Sequence, residues 1–410
     1  MDTTVRSSPY RGLLEVAGAA FFPIAFFARL PLAMLTIGAL TLVSATTGSY
    51  ASGGLAAGAV GIGSAIGAPA LGYAADRWGQ RPVLLPAAVV HTAVVAGLLL
   101  AAGPGAVAWA VLLLAFAAGA TCPQVGPMAR VRWMSLTSGR PAGRRELETA
   151  LSYESTVDEL TFVMGPALVG LLASLVAPWL PLALAAALTL ALVPAFAVHR
   201  TAAAVPSHRD HPSSPNARWD RARAVRVGTA VTGMIGMGTL FGATAAGSVA
   251  FAGAAGDSSA GGLLYAALGL TSAAAALSVS AWPSAWAQPA RWVGCALALV
   301  PLALLLQLPA STPAMVAVLL LVGIPVGPVM VTIFTVGGDV APRGLLGTVM
   351  TLLASGIVVG TAIGNGLAGA LADEFGHRGA FAVAAGAAVM LLLAGVLMAY
   401  LRRPGAGRGA

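Results

Sequence analysis

The sequence predicts an all-α membrane protein with twelve transmembrane helices in two pseudo-symmetric six-helix bundles. Three observations predict it: extreme apolarity, long uncharged runs, and collection of arginine on one side. The 410 residues are 58% hydrophobic and only 9% charged, against about 25% charged residues in soluble domains. A single soluble core cannot hide that much apolar surface, because cores stop growing well below this length. Lipid can cover it. In hydrocarbon every backbone N–H and C=O must pair internally, which leaves helices or a closed barrel. The apolar runs are continuous rather than alternating, so the spans are helices.

The spans follow in order, given that ~20 apolar residues cross ~30 Å of hydrocarbon. Residues 16–75 carry one charge, Arg29, and hold spans 1 and 2. Residues 82–129 hold spans 3 and 4, turning at Gly103-Pro104-Gly105. Residues 151–199 hold spans 5 and 6, turning near Pro178-Trp179. Residues 227–256 and 258–281 give spans 7 and 8, and residues 292–338 give spans 9 and 10 around Pro309 to Pro313. Residues 344–372 and 379–401 supply spans 11 and 12. The first apolar segment is too long for a signal peptide and has Asp2 and Glu15 around it, so it is kept as a span.

All 22 basic residues are arginine. An even number of spans puts both termini on one side. That side collects every arginine except Arg29, inside a span, and Arg378, on the far side. Arg6, Arg11, Arg77, Arg81, the groups Arg130 to Arg145 and Arg200 to Arg226, Arg291, Arg343 and the tail arginines all fall there. Positive charge marks the cytoplasmic side, so both termini are expected in the cytoplasm of a cell-membrane protein. The net charge of +8 reports topology and contact with anionic lipid, not nucleic acid. Cys122 and Cys295 fall in different spans without metal-ligand spacing and read as small buried thiols. No cofactor motif is present. The absence of a P-loop Gly-Lys-Ser/Thr excludes ATP hydrolysis as an energy source, and nothing points to an enzyme.

The longest polar stretch between spans, residues 200–226, contains Pro206, Pro212 and Pro215 and divides the chain into 1–199 and 227–410. It reads as a flexible linker. The two parts resemble each other at an offset near 200. Gly165 to Ala173 in span 5 aligns with Gly364 to Ala372 in span 11, and Val125-Gly126-Pro127 with Val326-Gly327-Pro328. Repeats in parallel order place a substrate site between them near the midplane.

After span 2 the chain reads Gly72-Tyr-Ala-Ala-Asp76-Arg77-Trp-Gly79-Gln-Arg81. Gly72 and Gly79 suit close packing and a tight turn. Asp76 can face a helix N-terminus or an arginine, while Arg77 and Arg81 stay at the anionic surface. This loop, with twelve spans and a central polar stretch, resembles the major facilitator superfamily. The resemblance implies two six-helix halves rocking around a central cavity, with this loop as the latch on the cytoplasmic side. It implies a transporter, working as a monomer on a small-molecule substrate. The counterpart loop in the second half, Ser278 to Arg291, lacks the Gly and Asp of the pattern. Gly165-Pro166 followed by Gly170 looks like a degraded form of the glycine–proline motif of that family's exporters, with Thr161 and Val169 standing where glycines are expected. Many of the family's drug–proton antiporters carry an arginine where Ala115 stands here, a departure that counts against a standard drug-antiport mechanism.

Intramembrane charge is the sharper signal. Asp158 and Glu159 lie in span 5, ~12 Å in for a helix starting near Ala150. Each ionised carboxylate near mid-bilayer costs about 2.5–3.5 kcal/mol on insertion scales. Lying ~100° apart, they cannot face the same neighbour, whereas Glu154 and Asp158 share a face at i and i+4. Two readings stand at equal weight: proton uptake and release by Asp158, Glu159 or both, or a structural ion pair or cap. Arg29 is the natural partner if it is buried in span 1, the reading the apolar run Ala17 to Phe27 favours. If residues 12–27 instead form a surface helix, Arg29 only anchors a span starting near Leu30. Gly54/Gly58, Gly63/Gly67 and Gly356/Gly360/Gly364 form small-residue stripes. Spans 2 and 11 are expected to meet between the halves, with Gly165, Pro166, Gly170, Gly360, Gly364 and Asn365 packing across that boundary. His91 reads as a hydrogen-bonded interior residue, and Trp109, Trp179, Trp282, Trp286 and Trp292 as an aromatic belt. Proton-coupled export of a small amphipathic or drug-like molecule fits these residues. Proton-linked uptake of a metabolite and a non-transporting membrane sensor are the competing readings.

Overall fold

The computed structural model describes residues 9–103, 107–141, 143–205, 220–254, 256, 261–283 and 286–402. The turn residues Pro104 and Gly105, linker residues Pro206, Pro212 and Pro215, Arg6, and the tail arginines after Arg402 lie outside them. The elements are α1 (Pro9–Ala17), α2 (Phe21–Phe27), α3 (Leu30–Thr47), α4 (Tyr50–Trp78), α5 (Gln80–Ala101), α6 (Ala108–Thr121), α7 (Val125–Thr137) and α8 (Gly143–Leu175). They continue with α9 (Leu180–Val198), α10 (Arg221–Ala254), α11 (Gly261–Ser278), α12 (Gln288–Leu305), α13 (Thr312–Val340) and α14 (Leu346–Leu401).

Eleven helical segments among the described residues are long and apolar enough to cross a membrane. The last of these, α14, contains two spans. Gly376 breaks its helical geometry with φ +65°, and a Cβ on Gly379 would stand 2.4 Å from the Leu371 carbonyl oxygen. Eight residues of continuous helix would separate those positions by ~12 Å, so the chain reverses there. The two limbs of α14 are spans 11 and 12.

Two spans are interrupted. α2 and α3 form span 1, broken at Ala28-Arg29 because Pro31 in the first turn of α3 has no N–H to continue the ladder. α6 and α7 form span 4, broken at Cys122-Pro123-Gln124 for the same reason. Helices also run past the uncharged intervals of the sequence. α7 and α8 together carry Arg130, Arg132, Glu148 and Glu154 inside the bundle. The side chains of Arg130 and Arg132 are fully buried.

Glycines set the packing, and it repeats between the two parts of the chain. On α4, Cβ atoms at Gly63 and Gly67 would fall 2.0 Å from backbone oxygens of α6. On α13, Gly323 and Gly327 lie equally close to backbone oxygens of α11. Gly165 of α8 rests on Ala33 of α3, while Gly360 and Gly364 of α14 rest on Ile235 and Thr239 of α10. Span 5 therefore packs on span 1 as span 11 packs on span 7. Gly165, Gly360 and Gly364 thus bind each six-helix group internally, which corrects their expected placement between the groups, while spans 2 and 11 do meet there, with Gly72 against Gly347 and Thr351. Gly170 has open space beside it, Pro166 is exposed, and Asn365 is exposed with its backbone against Gly242 of α10. The stripe spacing describes close approach but not which neighbour approaches. Trp292 is likewise buried against the second limb of α14, donating to the Leu391 carbonyl at 3.1 Å, rather than lying in the aromatic belt.

A Val at Gly360 must push α14 off α10, whereas an Ala at Gly170 meets nothing. Gly360→Val is expected to cost about 1–3 kcal/mol, the usual effect of overpacking, and to lower the melting temperature in detergent by several degrees. Gly170→Ala should leave it unchanged.

Candidate functional site

The interruption of span 1 turns Arg29 inward, 5% exposed, toward α8. Its Nη2 pairs with Glu154 Oε2, and its Nη1 donates to Asp158 Oδ1 at 3.1 Å. The other Asp158 oxygen accepts from Arg130 Nη2 of α7 at 2.7 Å. The other Glu154 oxygen accepts from the Trp133 indole N–H at 2.7 Å. Gly126 makes room, since its missing side chain would lie 3.2 Å from Asp158 Oδ1 and 3.8 Å from Arg29 Nε. Two guanidinium groups and two carboxylates thus form one neutral cluster at the junction of α3, α7 and α8. Hydrogen bonding and neutrality make such burial tolerable, and removing one member of a buried pair typically costs about 3–5 kcal/mol. Asp158 is the open end, with 17% of its side chain exposed against 0% for Glu154. Arg29 is thus buried and ion-paired immediately before α3.

Glu159 points elsewhere, as the ~100° step along a helix requires. It is buried between α8 and α11, where Ser272 Oγ donates to its Oε1 at 2.5 Å. Its Oε2 has no partner, and no ion pair reaches it among the described residues. A carboxyl group in this setting is stable only when neutral or freshly solvated.

Contacts between the two six-helix groups are prominent on the arginine-rich side. Asp76 at the end of α4 accepts from the backbone N–H groups of Gly347 and Thr348, at 2.8 and 2.7 Å, and from the Thr348 hydroxyl at 2.7 Å. The residue before α14, Leu345, supplies no side-chain cap of its own. Asp76 caps that helix from across the interface, where its charge also meets the positive end of the helix dipole. Gly72 permits the approach, since a Cβ there would meet Thr351 Oγ1 at 2.2 Å. Gly79 turns the chain with φ +91°, and Arg77 and Arg81 are exposed. Arg130 stacks over the Phe334 ring of α13 at 3.8 Å. Arg291, buried in the first turn of α12, faces Glu148 of α8 at 3.6 Å. Tyr10 of α1 donates to the Leu277 carbonyl of α11 at 3.0 Å. Burial, opposed by its Ser280 contact, raises the Tyr10 hydroxyl above its ordinary pKa, so it remains a donor.

Arg132, also in α7, holds only its own group together. It donates to Gln80, to the Phe196 carbonyl and to Thr201, and lies on the Phe196 ring. His91 is fully buried with Nδ1 3.0 Å from the Ala118 carbonyl oxygen, an interior hydrogen bond. The sequence reading missed Arg130, Trp133, Ser272, Phe334 and the Arg291–Glu148 contact. For Arg130 a signal existed: Val125 to Thr137 carries two arginines and no acid among Met128, Val131 and Trp133. For Ser272 and Phe334 there was none.

A membrane-embedded helical protein with two related six-helix groups, a buried charge cluster between its spans and a helix cap made across its groups is what fold and site define. The Major Facilitator Superfamily profile matches residues 21–355 and 293–410, and the chain belongs to that family. It is thus a secondary transporter of small molecules, as members of the family are. No curated protein sequence matches. Among solved structures it is similar to the human organic anion transporter MFSD10 (TETRAN), with 19% identity, TM-score 0.68, and 96% of this chain covering 100% of that one. It is also similar to the E. coli fucose:proton symporter FucP, with 16% identity, TM-score 0.62, and 92% of this chain covering 98% of that one. At these identities the likeness is one of fold.

Two measurements probe the site. Arg29→Gln alone should strand the buried Glu154 carboxylate, since Asp158 keeps Arg130, and sharply reduce the yield of folded protein, and adding Glu154→Gln should restore part of it. A double mutant no better than the single one would contradict the pairing. For the Asp76 cap on α14, spin labels replacing exposed Arg81 and Arg343 should report a longer, broader distance distribution in Asp76→Ala than in the parent.

Proposed function

We propose that this transporter is proton-coupled and exports a small amphipathic or drug-like molecule by alternating access. Each chain works as a monomer in the cell membrane with both termini cytoplasmic. The observation that carries the proposal is the contrast between Asp158 and Glu159. Arg29 and Arg130 already neutralise Glu154 and Asp158. Glu159 is left as a buried carboxyl facing a serine hydroxyl. Binding a proton removes the cost of a bare charge there, and releasing one requires water, which rocking of the two groups would admit. Because Ser272 belongs to the opposite group, the protonation state of Glu159 acts directly on a contact that the motion must break. This favours Glu159 over Asp158 as the proton carrier. The partly exposed Asp158 is the better candidate for sensing substrate.

The export direction rests on the Gly165-Pro166 pattern, and the cytoplasmic orientation on the arginine distribution. The lack of unpaired charge around Asp158 suits a mostly apolar substrate. Asp76, Gly72 and Gly79 act as the cytoplasmic latch, with Arg77 and Arg81 at the lipid surface.

The test is transport in proteoliposomes with an imposed pH gradient, an entrapped pH dye and a panel of lipophilic compounds. The parent should move a compound opposite to protons. Glu159→Gln should lose gradient-driven flux by at least about tenfold, the scale of one catalytic proton-transfer group, while retaining counterflow. Unchanged gradient-driven flux in Glu159→Gln would end its assignment as carrier. Substrate and protons moving together would establish uptake instead, and no flux for any compound would favour a sensor.

A further inference from the structure

We propose that the groove between α10 and the second limb of α14 binds one acyl chain of an anionic phospholipid, with the phosphate held at Arg221. The groove has a volume of about 610 Å³ and is lined by Thr229 and Thr232 on one side and Gly386, Val389, Leu393 and Leu397 on the other. That volume lies within the range of sites that enclose a whole small ligand. Most of the lining is exposed on the outer surface, facing where lipid must be. Missing side chains create the space. Cβ atoms at Gly228 and Gly386 would meet nothing within 4 Å. The Thr229 hydroxyl is spent on the Val225 carbonyl, and Thr232 adds a further hydroxyl to an otherwise apolar wall.

Length and charge select the occupant. From Gly386 to Leu397 the helix rises ~16 Å, about half the ~30 Å hydrocarbon thickness, which is the depth of one leaflet. Helical spacing puts Arg221, Val225, Thr229 and Thr232 on one face of α10. Arg221 therefore stands ~12 Å beyond Thr229 toward the arginine-rich side, at the level of the headgroups. Exposed Tyr400 continues the Leu393–Leu397 stripe to the same level, where tyrosines favour the interface. Arg221 and Arg223 are exposed, and Arg226 is half-buried with its Nε unpartnered, so they outweigh Asp220 at the helix start. Arg402 is already engaged by Gln288 and Asp339 and adds nothing to the groove. A second copy of the chain fits less well, because a two-fold contact on this face would bring two sets of these arginines together.

Native mass spectrometry of the detergent-solubilised chain, titrated with phosphatidylglycerol and phosphatidylcholine of identical acyl chains, tests the proposal. The parent should retain phosphatidylglycerol over phosphatidylcholine by roughly fivefold, the effect of one basic side chain at an anionic surface. Arg221→Gln should erase that preference while keeping phosphatidylcholine binding. Gly386→Leu, which fills the groove, should reduce both, with elution and melting temperature unchanged as the check on folding. Equal phosphatidylglycerol adducts in all three proteins overturn the proposal. Full binding by Gly386→Leu with loss of preference in Arg221→Gln overturns it too, since the headgroup would then be held without the groove. A parent dimer that Gly386→Leu abolishes would assign the groove to a second copy.

Discussion

An ionised side chain surrounded by hydrocarbon must find a partner, lose its charge or reach water, and much of this structure follows from that constraint. Arg29, Arg130, Glu154 and Asp158 satisfy it by mutual neutralisation. Their arrangement explains local features that otherwise look like defects. The break between α2 and α3 turns Arg29 inward, the break between α6 and α7 begins the short helix that carries Arg130 and Trp133, and Gly126 leaves the space they occupy. The cluster joins three spans of one six-helix group into a unit. Arg130 then extends it to the other group through the Phe334 ring.

Against that rigid background, the contacts across the two groups are of a different kind. Asp76 caps the first limb of α14 through backbone N–H groups that belong to the opposite group. Arg291 and Glu148 make a looser contact at the corresponding place in the other half, where the sequence pattern of the latch is missing. The pseudo-symmetry is therefore kept in placement while the chemistry differs: a carboxylate on a helix N-terminus on one side, an ion pair on the other. Interactions of this type are individually modest, about 0.5–2 kcal/mol for a cap, which suits the opening of these contacts that the proposed function requires.

The glycines illustrate how far a pattern can be read. Stripes at Gly63/Gly67 and Gly360/Gly364 announce close helix approach, and close approach is found. The partners of these stripes lie within each group, where spans 2 with 4 and 7 with 11 come into direct backbone contact. Between the groups, Gly72 marks one such approach, at the place where the motif put it. Asp158 and Glu159 offer a second illustration. Adjacent in sequence, they were legible as an intramembrane pair facing two neighbours, but nothing in the spacing said that one neighbour was cationic and the other a serine.

By itself the sequence determined that the chain lives in lipid, how many times it crosses, and that Arg29 and span 5 carry buried charge. These are properties of composition and of period along one chain, which the bilayer reads directly through length and apolarity. Only the tertiary structure decided that Arg130 completes the cluster, that Glu159 lacks a cation, and which helices the glycines hold. Those outcomes depend on rotation of each helix about its axis and on contacts between residues on different helices, far apart in the sequence. In lipid, where every apolar face is equally well solvated, the apolar pattern alone does not fix that rotation.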